Sequence, residues 1–171
     1  ERLLLRPFVS EDKMMISSLC SDFDVSSMCM LVPHPYTADN AQYFLENVCT
    51  ATEKVTLGIV LRENQVLIGC ISLDDIAISS DDTKRKTASI GYWLGKQYWG
   101  RGFMTEAAKA IVSYGFEKLH LNELNGTCWE ENNKSGNVMK KVGFLHLTEL
   151  PNNVDPYAPC LARGMKMFRR N

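Results

Sequence analysis

Gly100 and Gly102 stand between Trp99 and Phe103 in the stretch GYWLGKQYWGRGFMTEA, residues 91–107. Glycine costs backbone entropy, so two of them among bulky aromatics need a steric or a chemical reason. ASIGYWL before them reads as a strand. From Met104 onward, Met104, Ala107, Ala108, Ile111 and Gly115 fall on one face of a helix. Strand, short loop and helix make residues 97–102 a candidate anion cradle. The first amide N–H groups of a helix lack intrahelical partners and sit at the positive end of its dipole. With no Cβ above them, a phosphate can reach the backbone. A plain tight turn would use the same glycines, and on these residues alone both readings stay open. Two familiar phosphate loops do not fit. No lysine and hydroxyl follow Gly102 in the register a nucleoside-triphosphatase needs, which disfavours a nucleotide hydrolase. Thr105 stands where a dinucleotide loop has its third glycine.

The elements around this loop follow from pattern. RLLLRPF is a first strand that stops at Pro7, after which Ser10 is placed to cap a helix carrying Met14, Met15, Ile16 and Leu19. VPHPY is a stiff loop, because Pro33 and Pro35 restrict both themselves and their predecessors. Thr37 or Asp39 opens a second helix with Ala41, Phe44, Leu45 and Val48 at helical spacing. VTLGIVL and QVLIGCISL form a hairpin around Glu63-Asn64. Lys84-Arg85-Lys86 reads as a solvated tip. NELNGTCW is a strand, and NKSGNVMKKV is a short helix closed by Gly143 as a left-handed cap. Strands near FLHLTEL and CLARGMKMF flank a proline-containing loop at 151–159. The order β-α-α-β-β-β-α-β-α-β-β predicts an α/β (α+β) fold, a mixed sheet with helices packed on it.

A chain of 171 residues suits one domain, 1–171, with a real core. Its 45% hydrophobic and 23% charged content is ordinary for a globular protein, and a formal charge of -1 gives no electrostatic case for nucleic acid or an anionic membrane. No apolar run is long enough to span a bilayer. No secretory signal is visible, although a start at Glu1 rather than methionine leaves a lost leader open. Cys20, Cys29, Cys49, Cys70, Cys128 and Cys160 contain no C-x-x-C pair and read as reduced, mostly buried thiols, pointing to a cytoplasmic setting. His34, His120 and His146 are isolated, so no metal site is expected.

QYWGRG, Gln97 to Gly102, resembles the Q/R-x-x-G-x-G/A signature of the GNAT acyltransferases. IGYWLGKQYWGRGFMTEA followed by ENNKSGNVMKKVGF is similar to the RimJ/RimL-type branch, in which N-x-x-S precedes V-x-x-x-x-G-F, here Asn132, Ser135, Val138, Gly143 and Phe144. RLLLRPF and HPYTADNAQYFLENV also look like that branch, so the resemblance covers nearly the whole chain. It implies a GNAT fold: a single, mostly antiparallel sheet of six to seven strands, helices on both faces, and central strands that splay apart. It also implies acetyl-CoA as co-substrate and an amine as acceptor, in a monomer or homodimer. Backbone groups of Tyr92, Trp93 and Leu94 would pair with the pantetheine arm, as an added strand does. Gln97 opens the signature, and the amides of Gly100, Arg101, Gly102, Phe103, Met104 and Thr105 would hold the pyrophosphate. The Arg101 side chain either touches a phosphate or is simply solvated.

An amine attacking a thioester needs a neutral nitrogen, a donor for the developing oxyanion and a route for the thiolate to leave. A backbone N–H of the 90–94 strand suits the oxyanion. Ser135 resembles the residue that donates to the departing sulfur, with helix capping as its plainer role. Asn132 would orient cofactor or substrate, or cap a turn. Many relatives have an acid where this chain has Ser89, so no base carries over. Asp74, Asp75, Glu130 and Glu131 are near, but each reads as a solvated strand end. An α-amine of pKa about 7.7–8.0 is roughly a tenth neutral at pH 7, whereas a lysine at about 10.4 is neutral in under one part per thousand. A site without a strong base therefore favours α-amines, such as peptide N-termini, over lysine side chains and polyamines, with a small-molecule amine (amino acid, polyamine or drug) as the alternative acceptor. The VPHPY and PNNVDPYAP loops, with Tyr36 and Tyr157, are expected to border the acceptor groove. A binding module that keeps the loop without turnover is the alternative from another class.

Overall fold

The computed structural model describes residues 1–78, 84–129, 131–146 and 162–168. Seven strands form one sheet in the order β1-β2-β3-β4-β5-β7-β6. They are β1 (Leu3–Arg6), β2 (Val55–Leu61), β3 (Leu67–Ile78), β4 (Lys86–Leu94), β5 (Glu123–Trp129), β6 (Leu145–His146) and β7 (Ala162–Phe168). All pairs are antiparallel except β4–β5. Helices α1 (Lys13–Cys20), α2 (Phe23–Ser26), α3 (Ala38–Tyr43), α4 (Phe103–Glu117) and α5 (Asn133–Val142) complete it. The Glu130 and Tyr157 expectations lie outside the described residues, as do Cys160 and the 151–159 loop.

The sheet separates two apolar layers. On one face Ile59, Ile71, Leu73 and Ile90 pack beneath Ala107, Ala108 and Ile111 of α4 and Met139 of α5. On the other, Val60 and Leu67 meet Ile16, Cys20, Tyr36 and Ala41 from α1, α3 and the loop between them. The stripe predicted for α4 is buried throughout, Gly115 included. A Cβ there would come within 3.0 Å of Leu121 Cδ1. Among the described residues no helix is long and apolar enough to cross a membrane.

Local chemistry sets the helix starts, with one departure from expectation. Thr37 caps α3 in a reciprocal box with Asn40. Ser10 does not cap α1. Residues Ser10–Asp12 form a tight turn in which Asp12 Oδ2 accepts the Val9 N–H at 3.0 Å. The same carboxylate is gripped by Arg6 at 2.7 and 2.8 Å, while Ser10 bonds only Glu11. Burial pushes Asp12 up, but Arg6 and the Val9 amide outweigh it and hold the carboxyl below its ordinary value. Met14 and Met15 point outward, so Ile16 and Leu19 carry the helix. Lys86 is not part of a solvated tip. It opens β4, and its Nζ donates to the Leu119 carbonyl at 3.0 Å.

The β3–β4 pairing that leads to the glycine loop leaves no spare space. A Cβ on Gly69 would stand 2.5 Å from the Trp93 carbonyl oxygen and 3.1 Å from Leu94 Cα, both backbone atoms. Gly69→Ala should therefore destabilise the fold by about 3 kcal/mol, the upper part of the overpacking range, as read by urea denaturation. A change below about 0.5 kcal/mol would show that these strands part more easily than their packing implies.

Candidate active site

β4 and β5 run in register only from Thr87↔Glu123 to Ile90↔Gly126. Beyond that point Gly91–Leu94 have no β5 partner, and the two strands open into a cleft. β4 then passes through Gly95 and a tight turn, Lys96–Tyr98, to the glycine loop. Both loop glycines adopt left-handed backbone, φ 74° at Gly100 and 77° at Gly102. This is the region L side chains avoid, which explains two glycines at this point. The space above them is also open: nothing lies within 4 Å of a Cβ on Gly100, and only Arg2 Nη2, at 3.6 Å, near one on Gly102.

α4 is 15 residues long and follows Gly102 at its N-cap, with no side chain capping it. By contrast Asp22, Thr37 and Asn132 cap α2, α3 and α5. The first amides of α4 thus carry the positive end of a long helix with no side-chain acceptor. They face a cavity of about 320 Å³ lined by Tyr92, Trp93, Leu94, Gly100, Gly102, Phe103, Met104, Thr105 and Ser135. Three other expected residues do not line it. Gln97 is exposed on the turn. Arg101 is also exposed, its guanidinium 4.8 Å over the Phe103 ring. Asn132 is turned to local use, its Oδ1 accepting the Ser135 N–H at 3.0 Å. Leu94 is partly committed too, since its carbonyl accepts the Trp99 indole N–H at 2.6 Å.

Ser135 is therefore not the helix cap. Its hydroxyl lies 2.9 Å from the Tyr92 hydroxyl, which is also 3.1 Å from the Ser135 carbonyl. Burial pushes Tyr92 up to about 12 despite the Ser135 hydrogen bond. The pair is thus a neutral, proton-bearing couple at the cleft mouth.

Several neighbours carried no signal that sequence reasoning used. Arg2, a hundred residues before the loop, donates to the Arg101 carbonyl at 2.9 Å and pairs with Glu106 in the first turn of α4. Lys134 Nζ sits 4.2 Å from the centre of the Trp99 ring. Lys96 pairs with Asp24, tying α2 to the loop, and Val25, Met28 and Cys29 wall the cavity.

A second, larger cavity of about 740 Å³ shares Tyr92, Trp93 and Ser135 with the first. Tyr36, Asp74, Asp75, Ser89 and the thiols Cys20, Cys29 and Cys70 also line it. Asp74 is not a solvated strand end: Ser72 Oγ donates to it at 2.6 Å, and Lys54 is 3.6 Å away. Burial pushes the thiols up, Cys29 to about 11, Cys20 to about 12 and Cys70 well above its ordinary value.

Two cavities meeting at a parted strand pair, one at an uncapped helix N-terminus, can bring an anionic carrier and a second substrate together. Comparison with known proteins agrees. Residues 2–145 match the family model described as acetyltransferase (GNAT) domain. The chain is 32% identical over 145 residues to the uncharacterized N-acetyltransferase YnaD of Bacillus subtilis, covering 84% of this chain and 79% of the relative. It is 30% identical over 87 residues to the ribosomal-protein-serine acetyltransferase of Escherichia coli, covering 51% and 45%. A GNAT-family acetyltransferase structure from Bacillus anthracis superposes with a TM-score of 0.80 at 24% identity, covering 98% of this chain and 95% of the other. The spermidine N-acetyltransferase from Vibrio cholerae, solved with CoA and spermine, gives 0.78 at 17% identity with the same coverage. The chain belongs to the GNAT family of acetyltransferases.

Proposed function

We propose that this acetyltransferase uses acetyl-CoA to acetylate a primary amine, with a peptide or protein N-terminal α-amine as acceptor, in the manner of the RimJ/RimL-type branch. One observation carries the reading: the uncapped N-terminus of α4 opens onto the cleft between β4 and β5. The amides from Gly100 to Thr105 hold the diphosphate there, and the unpaired β4 edge at Tyr92 and Trp93 takes the pantetheine arm. Lys134 adds a cation at the mouth. The Ser135–Tyr92 couple donates to the departing sulfur, and Asn132 positions Ser135 by holding its amide. A thiol of pKa about 8.5 needs only modest help to leave.

The test pairs calorimetry with acetyl-CoA and transfer assays on three probes: a hexapeptide with a free α-amine, the same peptide blocked at its N-terminus but carrying one lysine, and spermidine. Micromolar binding and preference for the free α-amine at neutral pH are expected. Failure to bind acetyl-CoA would overturn the reading. Faster turnover of the lysine peptide or of spermidine would overturn the acceptor class.

A further inference from the structure

A polar row crosses the sheet face that α1 and α3 cover. Thr56 on β2 pairs with Ser72 on β3, and Ser72 pairs with Gly91 on β4. One step along, Asp74 pairs with Ser89 and is approached by Lys54. Beside the row this layer packs Ile16, Cys20, Tyr36, Ala41, Val60 and Leu67. A Cβ on Gly91 would lie 2.9 Å from both Asp74 Oδ2 and Ser72 Oγ. The glycine thus lets the hydrogen-bonded pair rest on the β4 backbone, one residue before Tyr92, where the strands part. Thr56 supplies an independent sign of a ligand. Its residue is 9% exposed, its Oγ1 is buried without a hydrogen-bond partner, and it lines the 740 Å³ cavity. A buried hydroxyl without a partner costs free energy, and the cavity's occupant would relieve that cost.

We infer that Asp74 receives the acceptor's ammonium group and takes its first proton, while Ser72 and Lys54 hold the carboxylate in place. Thr56 hydrogen-bonds the polar group next to the amine. This rests on the acetyl-transfer reading. The ammonium gives one proton to the Asp74 carboxylate, and the freed lone pair forms the C–N bond to the thioester carbonyl carbon. The C–S bond breaks with its electrons on sulfur. The nitrogen's second proton reaches that sulfur through the Ser135–Tyr92 hydroxyls, and Asp74 returns its proton to water. The products are the N-acetyl amine, the free thiol of CoA and one proton. With Asp74 partly balanced by Lys54, and with Met28, Val32, Phe44 and Trp93 as walls, the site suits a monocationic α-amine beside an apolar side chain better than a polycation.

The three probes above supply the acceptor, and the best of them is used. Asp74→Asn should lower kcat/KM at pH 7 by at least about 100-fold, within the range expected for a lost proton acceptor. The loss should shrink as pH rises, because neutral amine then arrives ready-made. Acetyl-CoA affinity should stay within about twofold, a ground-state control on the fold. Thr56→Val should raise both the melting temperature and the acceptor KM, a combination that mere packing would not produce. Asp74→Asn with kcat/KM within about threefold of wild type, or with the same proportional loss at every pH, overturns the Asp74 assignment and leaves acetyl transfer standing. Wild-type protein that binds no acetyl-CoA and acetylates no probe overturns the transfer reading itself, and this inference with it.

Discussion

Gly102→Val is expected to weaken acetyl-CoA binding at least about 100-fold, or about 2.7 kcal/mol, in a protein that still folds. Two effects combine, and they can be separated. The φ of 77° at Gly102 strains any L side chain, at a cost of about 1–2 kcal/mol. That strain lowers the melting temperature but fits within the about 5–15 kcal/mol of a typical domain. The second effect is obstruction. The empty site has room, since a Cβ meets only Arg2 Nη2 at 3.6 Å. The branched side chain therefore competes for the volume a diphosphate would fill over the α4 amides. Gly100→Ala serves as the comparison, because it carries similar strain at φ 74° but adds a single methyl. If Gly102→Val lost no more affinity than Gly100→Ala, the diphosphate would have to sit elsewhere.

Ser135→Ala should cut kcat at least about tenfold, equivalent to about 1.4 kcal/mol of barrier, with acetyl-CoA affinity within a fewfold. Tyr92→Phe should cut it comparably, since the two hydroxyls lie 2.9 Å apart and in the proposed transfer act as one proton donor. The double variant should lose little beyond either single one, as groups acting as a unit do. Alanine at 135 leaves the α5 start intact, because the cap is the Asn132 side chain on the Ser135 backbone N–H. Stopped-flow single turnovers isolate this step from product release. An unchanged single-turnover rate would remove Ser135 from the chemistry.

The parts of the site that follow the chain closely were legible in the sequence. Gly100 and Gly102 announced the loop, the Met104-to-Gly115 stripe announced α4, and Gly143 marked the end of α5. What escaped depends on contacts across the fold. Thr56, Ser72 and Asp74 alternate with apolar residues, which is also the signature of a strand with one face in water. Only the cover of α1, α3 and Tyr36 turns that face into a cavity floor. Arg2 and Glu106 meet across 104 positions, and no local pattern links them. Ser10 looked like a cap by residue type, yet its hydroxyl bonds Glu11, and the Asp12 carboxylate, anchored by Arg6, accepts the Val9 amide. Gln97 and Arg101 belong to the signature but do not line the cavity it borders.

The sulfur atoms walling the larger cavity bear on the kinetics expected of the proposed transfer. A thiol at about 11, such as Cys29, is ionised in only about one molecule in ten thousand at pH 7, and Cys20 and Cys70 are rarer still as thiolates. Transthioesterification onto these three thiols is correspondingly disfavoured. In the proposed direct transfer from donor to nitrogen, initial-rate lines are expected to intersect rather than run parallel, and mass spectrometry should find the protein itself unacylated.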